Sequence, residues 1–378
     1  MKKFLSILVF TAAALSSCIY PYDTDLKGVK DTIVVLEGEI IVGGVSTMRI
    51  SSVNSFSESI FHHEVRGIAT VEDDQGNIYS SNSKVPRSLV SIPMEDAPSD
   101  RKYRFRVTVD GTAYCSDWLD PLEPPVIEEV KAGLSADSTR VEITTTLDGG
   151  VDASGYIGIT YDETWEFHAD YMCRYELDTL KWRINERFLD YPNYWCWRSN
   201  SLNGMILVDY TEIDGNRVVS YPVQAFPRYN NRNHRKYSIE VHAITLSNEA
   251  YKYIKNLNDN TNTSGTLFSP NPGEMPSNLY CLTNPDKSVM GYVTASKVAS
   301  QRIFMDSQYH TPTAPPEGYL FISEDYQQDY EFGYYPVDYM SLPRGEEGAY
   351  ISGIYWGPMR CIDCIAAGGT KEKPDFWQ

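Results

Sequence analysis

After its first seventeen residues the chain has no apolar run approaching the roughly 20 residues that a membrane-spanning helix needs, so nothing in the body is expected to cross a bilayer. It also lacks HExxH, GxSxG, a phosphate-binding glycine loop and a dinucleotide fingerprint, which leaves no familiar catalytic, cofactor or metal centre to expect. Basic charge is scarce. Thirty-three Lys and Arg face 51 Asp and Glu, for a net charge of −18 with no basic stripe. Such a surface repels phosphate backbones, which excludes nucleic acid as a partner and adhesion to anionic headgroups except through an attached lipid. Long helical periodicity is missing too. Twenty-eight tyrosines, 21 prolines and 25 glycines point instead to strands and turns.

What is present begins with MKKFLSILVFTAAALSSC. Lys2 and Lys3 open it, an apolar stretch runs from Phe4 to Leu15, and Ser16 and Ser17 precede Cys18, the layout of a secretory signal over residues 1–17. Leu15-Ser16-Ser17-Cys18 resembles the lipobox of bacterial lipoproteins, in which the Cys thiol is diacylated, the leader is cleaved and the new amino terminus is acylated. The bland alternative is an ordinary secreted protein with Cys18 as a spare thiol. Each buried methylene contributes about 0.8 kcal/mol and lasting anchorage takes more than one chain, so a tri-acylated Cys18 would hold the body at the membrane. Removing the leader, which holds two of the basic residues and no acid, deepens the charge to −20. Residues 18–30 then read as the lipidated cysteine and a tether.

Between 31 and 122 lie about seven short strands, which suggest an immunoglobulin-like β-sandwich. Its clearest unit alternates Tyr103, Phe105, Val107 and Val109 with Arg104, Arg106 and Thr108, then turns at Asp110-Gly111, a two-residue hairpin signal. Pro121, Pro124 and Pro125 mark a boundary. Residues 126–378 read as a larger β-rich, sandwich-like domain, so the fold class is mainly β. One helix over 247–260 interrupts it: Ser247 caps, Leu246 and Tyr251 form a hydrophobic staple, Ala250, Ile254 and Leu257 make one apolar face, and Asn256 to Asn262 stop it. Regions 264–288 and 306–348 read as loops, and no internal repeat is found.

Four groups of residues invite a chemical reading. After Cys18 six cysteines remain, and Cys361 and Cys364 (Cys-Ile-Asp-Cys) read as structural, bridged within the pair or to Cys196 or Cys173, because a zinc site or redox motif lacks its other parts. His62-His63-Glu64 reads as a solvated loop. Asp162, Glu163 and Glu166 around Trp165 allow glycosidase chemistry on paper but read as a solvated strand face. A dense aromatic stretch makes Trp165 and the long insertion 168–200, with Tyr171, Tyr175, Trp182, Tyr194, Trp195 and Trp197, the candidate binding surface, together with the loop region 306–348. Packing of a second small core competes with that reading.

Several segments together resemble a known family: the lipobox, VVLEGEI (34–40), YDETWEF (161–167), Cys196-Trp197, LSNEAYKYIKNL (246–257), GTLFSPNPGEMPSN (265–278), GYVTASKVASQRIF (291–304) and CIDCIAAGGTKEKPDFW (361–377). They resemble the Bacteroidota lipoproteins catalogued as domain of unknown function 4249, over nearly the whole mature chain, with the closing elements the most specific. Ile365-Ala366-Ala367 departs from the more basic residues expected there. The resemblance implies a two-part envelope protein whose genes accompany TonB-dependent outer-membrane transporters, and it carries no catalytic residues. The expectation is an outer-membrane lipoprotein that binds a small ligand or assists such a transporter in nutrient capture. The alternatives are an assembly subunit of an envelope complex and a glycan hydrolase.

Overall fold

The structure, a computed structural model, describes residues 33–53, 65–150, 154–187, 191–263, 275–307, 320–343 and 350–377. The leader, Cys18, the tether and His62-His63-Glu64 lie outside the described residues. The described chain is mainly β, and none of its helices is long and apolar enough to cross a membrane.

The first body is a sandwich. The Tyr103–Val109 and Thr112–Ser116 strands form the hairpin that their alternation requires, with Asp110 at φ 46° and Gly111 at φ 77° in the turn. Tyr103, Phe105, Val107 and Val109 are buried and meet Leu36, Ile40, Met48 and Ile92 from the facing sheet. That facing sheet runs in the order Val289–Ser296, Ile33–Ile41, Val45–Val53, Leu89–Pro93. The other runs Leu279–Cys281, Thr112–Ser116, Tyr103–Val109, Ile68–Asp73, Ile78–Ser80.

Both orders correct the expectation of a sandwich confined to 31–122 and a contiguous second domain from 126. Each sheet is completed at one edge by a strand from far along the chain, and Val289–Ser296 pairs parallel to Ile33–Ile41. A parallel partner reaches its place through a long crossover and so leaves no local signature. Gly291 makes the pairing possible: it sits opposite Leu36 at φ +118°, and a Cβ there would stand 1.9 Å from the Leu36 carbonyl oxygen. Only glycine fits so close an approach.

A second sandwich packs Tyr156–His168, Lys236–Thr245, Ala299–Asp306 and Trp195–Ser201 against Arg217–Pro227, Arg140–Asp148 and Val126–Leu134. Ile157, Ile159, Tyr161 and Phe167 face Val141, Ile143, Leu147 and Phe226 across it. A third, smaller module corrects the loop readings. Tyr175–Asp178 and Arg183–Glu186 form a hairpin inside the insertion, and Tyr334–Pro343, Tyr350–Pro358 and Phe321–Ile322 form a sheet around Cys173, Val337 and Ile362. Part of 306–348 is therefore two strands, Phe321–Ile322 and Tyr334–Pro343, and a short helix, Tyr326–Glu331.

The long helix spans Asn248–Thr263, three residues beyond its expected end. Ser247 caps it, Oγ accepting from the Ala250 amide at 3.1 Å. Its asparagines do not stop it, because each weakens a helix by only about 0.7 kcal/mol. The helix lies on the crossover between the two sandwiches, and Leu246 and Ala250 pack against Ile41 and Ile244, one from each.

Candidate functional site

The Ile33–Ile41 strand turns Leu36, Gly38 and Ile40 into the first core. A Cβ on Gly38 would stand 2.5 Å from Met48 Cε and 3.0 Å from the Phe105 ring, so the residue between the two glutamates faces the packed core. Glu37 and Glu39 therefore point to the sheet's other face. Register places three strands side by side there: Arg49, Glu37 and Tyr292 form one row, and Thr47, Glu39 and Thr294 the next. The long helix covers this face with Tyr253, Ile254 and Leu257, leaving a cleft of about 230 Å³ that Met205 and Leu89 also line.

The cleft's electrostatics are uneven. Tyr253 is buried, stacks on Tyr292 with ring centroids 5.5 Å apart, and donates its hydroxyl to Glu37 Oε1 at 3.2 Å. Burial, reinforced by Glu37, pushes the Tyr253 pKa up. Glu39 is half-buried in the cleft lining and, among the described residues, its carboxylate has neither a hydrogen bond nor an ion pair. Desolvation alone pushes its carboxyl above the ordinary glutamate value. Arg49 is exposed at the open edge. Such a pocket, walled by aromatic and aliphatic side chains with a few converging polar groups, suits small-molecule binding.

The residues singled out from sequence lie elsewhere. Trp165 is 3% exposed within the second core, with the Arg232 guanidinium 4.5 Å from its ring centroid, so it corrects the reading as a binding surface. Trp195 and Tyr194 are half-buried and pack on His168 and on each other. Trp182, in the hairpin turn, meets Tyr330 edge-on at 6.3 Å. Tyr171 packs against the third module's core, Tyr175 lies in its hairpin, and Trp197 lies in the strand that bridges to Thr370. These aromatics divide among several packed neighbourhoods and largely fill small cores.

Among the described residues the cysteines form one bridge, Cys196 to Cys364, which ties the tail to the second sandwich. Cys361 and Cys173 are buried free thiols, so a bridge within the Cys-Ile-Asp-Cys pair is corrected. Asp363 between them accepts from Tyr191, Asn193 and the amides of Ile365 and Ala366 and so shapes the turn.

The reading of Asp162, Glu163 and Glu166 as a solvated face holds for Asp162, which is exposed, and is overturned for Glu163 and Glu166, which are buried. Glu163 is fully buried; Arg232 holds it at 2.7 and 3.0 Å, Tyr237 at 2.8 Å and Asn200 at 3.1 Å. Burial alone would raise its pKa, but those hydrogen bonds bring it below the ordinary value, the reverse of what a general acid requires. Glu166 is paired with Arg235, and Asp162 with His242. Sequence reasoning missed the cleft, although a signal existed: Val35 and Ile41 share the face of Glu37 and Glu39, and apolar residues at both ends of an outward face show that something covers it.

The family model described as "Domain of unknown function (DUF4249)" matches residues 19–302, a span that contains every residue lining the cleft. The match stops short of the Cys361 to Trp377 elements on which the resemblance leaned most. No curated protein matches the chain. Among solved structures, trypsin-activated alpha-2-macroglobulin from Escherichia coli aligns at 8% identity and a TM-score of 0.18, over 85% of this chain and 17% of that one. So low a score bears on neither fold nor function.

Proposed function

Because the chain belongs to the DUF4249 family, which is defined without an activity, we propose from its own residues that it is a lipid-anchored cell-envelope protein that binds a small ligand in the cleft between the first sandwich and the long helix. The observation that carries the reading is Glu39, a desolvated carboxylate without a partner among the described residues, set in a cleft walled by tyrosines and aliphatic side chains. The leader and Leu-Ser-Ser-Cys support anchorage through Cys18, for which the outer membrane is the proposed site. Association with a TonB-dependent transporter is the corresponding accessory role.

The test uses the full-length protein purified in mild detergent. Mass spectrometry is expected to find an acylated N-terminal peptide beginning at Cys18, and Cys18→Ala to release the body from membranes. Thermal-shift screening of small metabolites is expected to find ligands whose effect disappears in Tyr253→Leu. An unmodified Cys18 thiol would overturn the anchorage, and hits insensitive to Tyr253 would overturn the cleft.

One observation favours a second reading, the assembly subunit. Leu180 is 92% exposed beside Trp182, and Phe332 is 71% exposed beyond Tyr330, the edge-on neighbour of Trp182. Apolar tips of that kind suit a protein interface. Cross-linking from position 180 in intact cells is expected to capture an envelope protein if this reading holds.

A further inference from the structure

We propose that the ligand of this cleft is an organic ammonium ion, its charged head seated between Glu37 and Glu39 against the rings of Tyr253 and Tyr292 and its carbon chain lying along Ile254 and Leu257. The inference rests on the binding reading above and adds the chemical class.

Three observations carry it. The first is spacing. Glu37 and Glu39 are two residues apart on one strand face, which puts their stems about 7 Å apart at roughly 3.3 Å per residue. A single ammonium between them can approach both carboxylates. The second is the aromatic wall. Stacked tyrosine rings present negative faces that attract cations, more strongly once the cation is desolvated.

The third is the state of the acids. Elsewhere in the molecule partly or fully buried glutamates have cationic partners from the chain: Glu72 with Arg104, Glu163 with Arg232, Glu240 with Arg302. Among the described residues Glu39 has none, and burying a carboxylate without a partner is unfavourable. Arg49 is the cation nearest in register, yet it is solvent-exposed, opposite Glu37, and pairs with neither acid among the described residues. Even with Arg49 included, the lining has more negative than positive charge, as does the chain as a whole.

Other ligand classes match less well. A neutral sugar would leave the Glu39 charge uncompensated. A calcium ion takes six to eight oxygens, and among the described residues no group of three or more acids, histidines or cysteines is arranged for a metal. The volume also limits size. About 230 Å³ lies below the roughly 300–1,000 Å³ of pockets that hold drug-sized ligands. A quaternary or primary ammonium on a short chain matches it, as does one such group at the end of a longer molecule.

Proton linkage follows. Burial raises the Glu39 pKa in the free protein, and a cation beside the carboxylate favours its charged form. Binding therefore expels a proton from whatever fraction of Glu39 is protonated. Affinity rises with pH through the raised Glu39 pKa and falls below it.

The experiment titrates the full-length protein in detergent with choline, with its uncharged isostere 3,3-dimethylbutan-1-ol, with 1,4-diaminobutane and with calcium chloride. Calorimetry in two buffers of different ionisation enthalpy counts the protons. Expected are binding of one or both ammonium probes, at least tenfold weaker binding of the isostere, proton release near the Glu39 pKa, and at least a tenfold loss in Glu39→Gln. Because that variant removes only a charge, its unfolding midpoint is expected at or above that of the parent, which separates lost binding from lost folding. Equal binding of the isostere, or a site that takes only calcium, would overturn the ammonium class while leaving the cleft as a binding site. If neither the ammonium probes nor a panel of neutral sugars and alcohols binds, both the class and the cleft reading fall.

Discussion

Glu163 and Glu39 each sit on a strand, one in each sandwich, and each is partly or wholly withdrawn from water, yet the chain treats them in opposite ways. In the second sandwich Arg232, Tyr237 and Asn200 satisfy the Glu163 carboxylate inside the core. In the first, Glu39 shares a cleft with tyrosines and aliphatic side chains, and no donor from the described chain reaches it. A buried acid with its full set of donors is a structural member, whereas one left without donors in a cleft lining marks binding.

The largest effect that would break this contrast is at Glu163. Glu163→Gln leaves the Arg232 guanidinium facing a neutral amide, and losing one partner of a buried pair destabilises by about 3–5 kcal/mol, with the lower end expected because Arg232 keeps some exposure. Urea denaturation at neutral pH measures it. A loss below about 1 kcal/mol would place Glu163 with Glu39 rather than against it.

Next comes Gly291→Ala. Its Cβ would collide with the Leu36 carbonyl, and alanine is strained at φ +118°, so a loss of about 1–3 kcal/mol is expected. This strand carries Tyr292 and Thr294 into the cleft, so binding should weaken while the second sandwich keeps its amide-exchange protection.

The pH dependence has opposite signs at the two acids. Glu163 has a lowered folded pKa, so the stability it contributes is full above the unfolded value and is lost as pH falls through the folded one. Glu39 has a raised folded pKa, so it weakens the fold as pH climbs from the unfolded to the folded value, and acid relieves that. Stability measured from pH 7 to pH 3 is therefore expected to fall less steeply in Glu163→Gln and more steeply in Glu39→Gln than in the parent. The smallest effect is Glu39→Gln at neutral pH, a gain of a few tenths of a kcal/mol, within the ordinary range of surface substitutions.

Where local rules govern, the sequence reads well. The Tyr103–Val109 hairpin follows from period-two alternation and Asp-Gly, and the long helix begins at Ser247 because the cap chemistry is written there. Both sandwiches announce themselves through short strands and proline punctuation. The edge strands Leu279–Cys281 and Val289–Ser296 were not legible, because their partners lie well over a hundred residues upstream and only Gly291 hints at a close backbone neighbour. Glu163 was misread for a related reason. It shares a face with Tyr161 and Trp165, which marks it as inward, but its partner Arg232 comes from a distant turn. The cleft needs three elements from residues 37, 253 and 292 to meet, which no spacing rule states.

The most direct measurement is the titration of the Glu39 carboxyl, followed by carbon-13 NMR on glutamate-labelled protein and assigned by its loss in Glu39→Gln. The account predicts a midpoint above the ordinary 4.5 in the free protein, moving down when choline or 1,4-diaminobutane is added. A midpoint at or below 4.5 that neither compound moves would contradict it.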